Sequence, residues 1–238
     1  MKERLDKLIS SQTNLSRKDA ARAIRDKRVT VNGALCRATD AKVDPDADRI
    51  ALDGSPVTYR RYVYYMMNKP EGVVSATEDQ TERTVLDLLP AELRRDGIFP
   101  AGRLDKDTTG LLILTDDGDF AHRMLSPKKH VDKTYLATLD RAPDKSVPEA
   151  FAAGIALADG TVCKPGVAVI SDDCRVEVTI HEGKYHQVKR MFAALGYRVT
   201  ALERIRIGAL DLDPSLAKGE VRPLSKEELA LVFDQPPC

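Results

Sequence analysis

Gly102-Arg103-Leu104-Asp105-Lys106-Asp107-Thr108-Thr109-Gly110, followed without a break by Leu111-Leu112-Ile113-Leu114, is the stretch on which the fold turns. Four apolar residues in a row after a turn predict a buried strand. The polar loop before them is then fastened to the edge of a core. There one carboxylate, Asp105, can be held in a fixed geometry between a basic residue and a Thr-Thr-Gly turn. The loop also fits positions one, three, five, six and twelve of a calcium-binding EF-hand, with Asp105, Asp107, Thr109, Gly110 and Asp116. Its context argues against calcium. Pro100-Ala101-Gly102 stands where a helix should end, the apolar run fills the loop interior, and the last position lacks the usual Glu.

Outward from this loop, elements of both kinds alternate irregularly. Tyr62 to Met67 predicts a strand, closed by Asn68-Lys69-Pro70-Glu71-Gly72. Asp119 to Leu125 predicts a helix stopped by Ser126-Pro127, and Thr134 to Leu139 a strand. Arg175 to Ile180 alternates, with Val176, Val178 and Ile180 on one face and Arg175, Glu177 and Thr179 on the other. Gln187 to Leu195 predicts a helix with Gly196 just past its end, and Arg198 to Ile207 a returning strand. Ser225-Lys226-Glu227-Glu228 is a capping box opening a helix through Phe233. The steady strand–helix rhythm of a doubly wound fold is missing, which favours an α+β fold with a largely antiparallel sheet.

The first 54 residues read as a separate compact unit. Leu5, Leu8 and Ile9 follow helical spacing, and Ser16 with Asp19 marks the start of a second helix. Lys18, Arg22 and Arg25 share one face of it, with Arg17 and Arg28 nearby, and Asn32-Gly33 is a hairpin signal. A basic helix beside a small hairpin suits RNA binding, and equally a merely solvated helix face. Asp53-Gly54-Ser55-Pro56 is a turn-rich break, which places the linker there and divides the chain into 1–56 and 57–238.

Composition narrows the class. The chain has 238 residues, 42% of them hydrophobic, enough for a real core. No stretch approaches the length of a membrane span, and the charged start Met1-Lys2-Glu3-Arg4 leads into no signal region, so a soluble cytoplasmic protein is expected. Cys36, Cys163, Cys174 and Cys238 are scattered without C-x-x-C spacing, so neither a zinc site nor a disulfide framework is indicated. His181 and His186 lie across a Gly183 turn with no acidic or Cys cluster beside them, so a structural or RNA-contacting role is favoured over metal binding. The net charge is zero, yet residues 1–37 carry a local charge of +6, 38–54 of −3 and 181–206 of +4. Two basic zones in a neutral chain point to local faces for an anionic partner.

The sequence holds no G-x-x-x-x-G-K-[ST], no G-x-G-x-x-G and no G-x-S-x-G. What remains is the Asp105 loop, a tyrosine-bearing strand at Lys133-Thr134-Tyr135, and the basic stretch from His181 to Arg190. Chemistry on an anionic polymer with no cofactor and no metal is the expectation.

These residues carry a close family resemblance. Gly102-Arg103-Leu104-Asp105 with Thr108 and Gly110 resembles the catalytic motif of the pseudouridine synthases. Asn68-Lys69-Pro70-Glu71-Gly72 resembles the motif opening their catalytic domain, and Lys133-Thr134-Tyr135 the segment with their active-site tyrosine. Glu182-Gly183-Lys184-Tyr185-His186-Gln187-Val188-Lys189-Arg190-Met191-Phe192 is similar to the third motif of the Rsu-type ribosomal RNA branch, and residues 1–54 to the S-four-type RNA-binding domain that precedes it. The resemblance covers nearly the whole chain in the family's order.

It implies isomerisation of uridine to pseudouridine in ribosomal RNA by a domain with a largely antiparallel mixed sheet flanked by helices. Asp105 is implied as the catalytic carboxylate, with Lys189 as its adjacent cation and Tyr135 stacking on the uracil, its hydroxyl helping to remove the carbon-5 proton. A free Asp is ionised at neutral pH, and a nearby cation keeps it so when it is buried. Arg103, Lys184, His186, Gln187 and Arg190 are expected to bind substrate, Arg103 by filling the space of the extruded base or holding the backbone. Lys184 and Arg190 are expected on phosphates. Arg17, Lys18, Arg22, Arg25 and Arg28 are expected on RNA in the first domain. Asp107 reads as a turn cap, and Asn68, Lys69 and Pro70 as loop shapers. The target must be flipped out at a cost of a few kcal/mol, which backbone contacts offset. The length, the Thr108-Thr109 variant and the short tail ending at Cys238 favour a small-subunit ribosomal RNA uridine, in an assembly particle, acted on by a monomer. The alternatives are large-subunit ribosomal RNA and a non-catalytic assembly factor. Reversing the charges of Lys18, Arg22 and Arg25 is expected to weaken RNA binding and flatten its salt dependence in titrations at several salt concentrations; an unchanged slope would mark the face as merely solvated.

Overall fold

The computed structural model describes residues 2–13, 15–126 and 131–234, so Pro127 and the tail ending at Cys238 lie outside the described residues. The chain divides into two compact units, Met1–Val63 with Leu89–Ile98, and Tyr64–Leu88 with Phe99–Cys238.

In the first unit Leu5, Leu8 and Ile9 lie on one stripe of the helix Leu5–Gln12 and pack on Ala20, Ala23 and Ile24 of the helix Arg17–Arg25. Ser16 caps the second helix: its hydroxyl accepts from the Asp19 amide at 3.1 Å and donates to the Asp19 carboxylate at 2.5 Å. Asn32 and Gly33 have φ of 52° and 82°, the two positive angles of a type I′ turn, and join Val29–Val31 to Ala34–Leu35. Asp53 and Gly54, at 50° and 79°, do the same between Ile50–Leu52 and Ser55–Pro56. The stretch expected to be the linker therefore lies inside a four-stranded sheet of the first unit. Linkers and primed hairpin turns draw on the same residues, and only the pairing partner tells them apart.

The second unit is built on one large mixed sheet. Its main path runs Val167–Ile170, Arg175–Ile180, Lys133–Leu139, Val199–Ile207, Thr108–Thr115, Tyr64–Lys69, Val221–Pro223. Every pair along it is antiparallel except one: Val199–Ile207 and Thr108–Thr115 run parallel, with Leu202, Glu203 and Arg204 opposite Thr108, Thr109 and Gly110. Two antiparallel halves thus meet at a parallel seam, and the Asp105 loop leads straight into it. Leu111, Leu112, Ile113 and Leu114 are all 0% exposed. Burying them is worth roughly 1.5–3 kcal/mol each, a gain that a calcium loop with this run in its interior would forfeit.

The helices form around two apolar clusters. Asp117 caps Gly118–Leu125, accepting from the amides of Asp119 and Phe120 at 3.0 Å and from the Tyr64 hydroxyl at 2.7 Å. Phe120 meets Tyr64 and Phe233 edge-on at 5.1 and 5.4 Å. In the second cluster Phe151 of Val147–Ala153 packs on Phe192 of Gln187–Ala194. The Ser225–Glu228 capping box is formed, but its helix ends at Leu231 rather than Phe233. Among the described residues no helix is long and apolar enough to cross a membrane.

Gly110 makes the seam possible. At its φ of +100° a Cβ would lie 2.3 Å from the carbonyl oxygen of Arg204 and 2.9 Å from the Arg204 nitrogen, both backbone atoms that cannot move aside. Gly110→Ala is expected to destabilise the protein by about 2–3 kcal/mol in urea unfolding. Gly118→Ala, where a Cβ would meet nothing within 4 Å, should stay within about 0.5 kcal/mol of the parent.

Candidate functional site

The backbone of the Asp105 loop is held from behind. Lys69, the last residue of Tyr64–Lys69, is 0% exposed, and its ammonium donates to the carbonyls of Thr108 at 2.9 Å, Pro70 at 3.0 Å, Asp105 at 3.1 Å and Lys106 at 3.3 Å. Burial lowers the Lys69 pKa to about 8, against the pull of Asp105 and Asp107, which favour the charged form. Ser75 clamps the preceding residue, accepting from the Leu104 amide at 3.0 Å and donating to the Leu104 carbonyl at 2.9 Å. The Gly72 amide donates to Lys106 O at 2.9 Å and the Thr108 amide to Asp105 O at 3.0 Å. Of the three residues read as loop shapers, Lys69 is the one that grips the Asp105 loop; the Asn68 side chain donates elsewhere, to Leu216 O at 2.7 Å.

The Asp105 carboxylate projects into a cleft with Arg103, Tyr135, Lys184 and His186 on its walls and Ile180, Val188 and Leu202 as apolar lining. His186 Nε2 lies 3.5 Å from one carboxylate oxygen and Lys189 Nζ 3.7 Å from the other. Two nitrogen-bearing side chains thus flank Asp105 beyond the usual charge-assisted hydrogen-bond length and leave its lone pairs open. The tighter partner of Lys189 is Asp107, at 2.5 Å. Asp107, read as a turn cap, is therefore a second carboxylate on the same ammonium. That hydrogen bond holds its pKa below the usual carboxylate range, against the effect of burial.

Tyr135 reaches the cleft from Lys133–Leu139 at an irregularity. Thr134 is opposite Arg206 but Tyr135 is opposite Arg204, so the partner strand carries an extra residue. Such bulges twist a strand locally and re-aim a side chain. Among the described residues the Tyr135 hydroxyl has no hydrogen-bond partner. Arg103 is exposed and likewise makes no ion pair with a described residue.

The third motif folds as strand, loop and helix, with His186 at φ 48° in the left-handed region at the N-cap of Gln187–Ala194. Gln187, expected to bind substrate, is 4% exposed: its Oε1 accepts from the Lys184 amide at 2.9 Å and its Nε2 donates to Glu182 at 2.8 Å. Both ends of its amide are used within the loop, so it sets the loop's shape from the cleft wall. Lys184 pairs with Glu182, and Arg190 with Asp159 at 2.5 Å. Hydrogen bonds from Thr161 and Arg190 hold Asp159 down to about 2. Both cations expected on phosphates are thus already matched by a carboxylate.

In the first unit Arg17, Lys18, Arg22, Arg25 and Arg28 are all exposed. Arg28 is tied to Asp53 by two bonds of 2.8 and 2.5 Å, and Arg17 and Arg22 have longer pairs, at 3.8 Å, with Asp6 and Asp26. Lys18 and Arg25 have no ion pair with a described residue.

The chain is similar to known proteins over most of its length. Residues 63–194 match the family model of RNA pseudouridylate synthases, and residues 3–50 that of the S4 domain. The chain is 46% identical over 231 residues to the ribosomal small subunit pseudouridine synthase A of Escherichia coli (strain K12), covering 96% of this chain and 99% of the relative. It is 46% identical over 233 residues to a protein named as an uncharacterized RNA pseudouridine synthase of Bacillus subtilis (strain 168), covering 96% and 98%. A crystal structure described as a pseudouridylate synthase superposes with a TM-score of 0.67 at 40% identity, covering 97% of this chain and 99% of that one.

Lys69→Met fills similar space but leaves the loop carbonyls without their buried donor, and is expected to cost about 1–3 kcal/mol of stability. The parent should also show a pH signature that the variant lacks. Its folded pKa of about 8 lies below the usual 10.5, so the unfolded chain binds the proton more tightly. The cost of burying the charge is present in full below pH 8 and relieved toward pH 10.5. The stability of the parent relative to Lys69→Met should therefore rise through that window in denaturant titrations; a flat difference would mean that Lys69 keeps its ordinary affinity for the proton.

Proposed function

The chain belongs to the RNA pseudouridylate synthase family, as an enzyme with an S4 domain, and from that premise we propose that its substrate is a uridine of small-subunit ribosomal RNA, flipped from its strand and turned over beside Asp105. One observation carries the reading: an open carboxylate, flanked by His186 and Lys189 at 3.5 and 3.7 Å, shares a cleft with the hydroxyl of Tyr135, which has no hydrogen-bond partner among the described residues.

A base buried in stacked RNA cannot reach this carboxylate, so extrusion comes first. Arg103, exposed beside Asp105, takes the place of the extruded base or holds the backbone. The ring of Tyr135 lies against the uracil, with the apolar lining excluding water. Asp105 acts at the glycosidic centre as the bond from nitrogen 1 to the sugar breaks. The freed uracil turns and carbon 5 bonds to the same sugar carbon. The proton displaced from carbon 5 leaves with help from the Tyr135 hydroxyl, and nitrogen 1 gains one. The product is an isomer of the substrate, so no atom or electron is supplied from outside.

The small-subunit assignment is supported by the near full-length similarity to a relative named for that subunit. The exposed basic helix Arg17–Arg25 supplies sequence-independent attraction to the RNA backbone, and an assembly particle, in which the target is still accessible, is the proposed form of the substrate. The cytoplasm is the proposed location and a monomer the proposed acting form.

Asp105→Asn keeps the shape of the side chain and removes its charge. Pseudouridine mapped at nucleotide resolution on ribosomal RNA transcripts and assembly particles should appear with the parent at one small-subunit uridine. It should fall by at least about 1000-fold in rate with Asp105→Asn, in line with the loss of an essential reacting group. Modification confined to large-subunit RNA would overturn the substrate assignment, and an active Asp105→Asn the role of Asp105.

A further inference from the structure

Asp105 lines two hollows. The first is the Tyr135 cleft. The second shares Arg103, Lys184 and His186 with it and adds Val74, Ser75, Lys106 and Tyr185. Lys106 and Lys184 in this wall are paired with Glu82, at 2.7 Å, and with Glu182, which leaves Arg103 as a cation there with no ion pair among the described residues. The rim is aromatic. Tyr185 is 76% exposed, and its ring lies flat against His186, with centroids 3.8 Å apart and planes 18° apart. The left-handed backbone of His186 presents this stack, and Arg190 reaches back to the Tyr185 carbonyl at 3.4 Å. A tyrosine so exposed contributes little to a core. A flat, exposed ring beside a wall that carries cations is the arrangement on which unpaired bases stack.

We infer that this second hollow is a subsite for the nucleotide next to the target uridine, whose base stacks on Tyr185. The inference rests on the reading of the first cleft as the uridine site. Flipping a uridine leaves its neighbour without a stacking partner, and that lost contact is part of the cost of extrusion. Tyr185 replaces it, with Arg103 against the connecting phosphate. Tyr185 is in this account a positioning residue that touches the RNA but not the reacting base.

The test begins by mapping the modified uridine in a small-subunit ribosomal RNA transcript with the parent enzyme. Short synthetic RNAs carrying that uridine are then made with the natural neighbours, or with an abasic residue on the 5′ or the 3′ side. Tyr185→Ala should raise KM about tenfold, the effect of one lost base–aromatic stack, with kcat within about twofold of the parent. Tyr185→Phe and Tyr185→Trp should restore KM. One of the two abasic RNAs should raise KM for the parent by a similar factor and add nothing further in Tyr185→Ala. Because the chain has no tryptophan, Tyr185→Trp also provides a single fluorescent reporter, whose quenching by RNA should be lost with that same abasic RNA. Independent, multiplicative effects of the two changes, an unchanged KM, or a loss confined to kcat would each overturn the subsite. Absence of pseudouridine with the parent on every ribosomal RNA would instead overturn the reading of the first cleft, and the subsite with it.

Discussion

A buried ammonium is the constraint on which the site depends. Lys69 stands fully buried at the end of a strand, and four backbone carbonyls from Pro70, Asp105, Lys106 and Thr108 take the place of its hydration shell. An unpaired charge there would be costly, so the loop carbonyls and the ammonium are mutually required. The pairing brings the end of one strand against the start of the next. Leu111–Leu114 can then run on into the core and Gly110 can meet Arg204 at the parallel seam. Charge satisfaction, sheet topology and the placement of Asp105 are one arrangement.

The electrostatics in front of the loop differ in kind from those behind it. Behind, every contact is a direct hydrogen bond and the geometry is fixed. In front, Asp105 has its neighbours at 3.5 and 3.7 Å, while the closest pairing of Lys189 is with Asp107. A carboxylate in a direct bidentate pair would have its lone pairs occupied, and a reacting group would have to break that pair first. Asp107 lets Lys189 remain near Asp105 without closing on it. The Glu182–Lys184–Gln187 and Arg190–Asp159 pairings do similar work one layer out, setting the loop that carries His186.

Much of this was legible in the sequence where a pattern is local. The clean alternation of Arg175–Ile180 forms a strand over those residues, and the Asn32-Gly33 turn and the Ser225 capping box form as read. The helix Val147–Ala153 and the strands Val167–Ile170 and Val221–Pro223 carry no clear local signal: each is short, and the two strands pair along one side only. Lys69 could be read as a loop shaper but not as a buried one. Lysine is rarely buried, and three of its four partners lie far downstream in the chain. Asp107 and Gln187 make contacts that the sequence does not show, for a related reason. A polar residue beside a reactive one has the same appearance in sequence whether it faces the substrate or holds a neighbour.

From behind, the loop is held through backbone atoms of residues 104–108, gripped by Lys69, Gly72 and Ser75. The path of the reactive segment is therefore written outside it, in another part of the gene. The side chains of Arg103, Asp105 and Asp107 hang from a frame that does not consult them. Shape and chemistry are in this way inherited separately: the positions that carry the reaction can drift or be redesigned without unmaking the frame, and the frame can be kept while its occupants change.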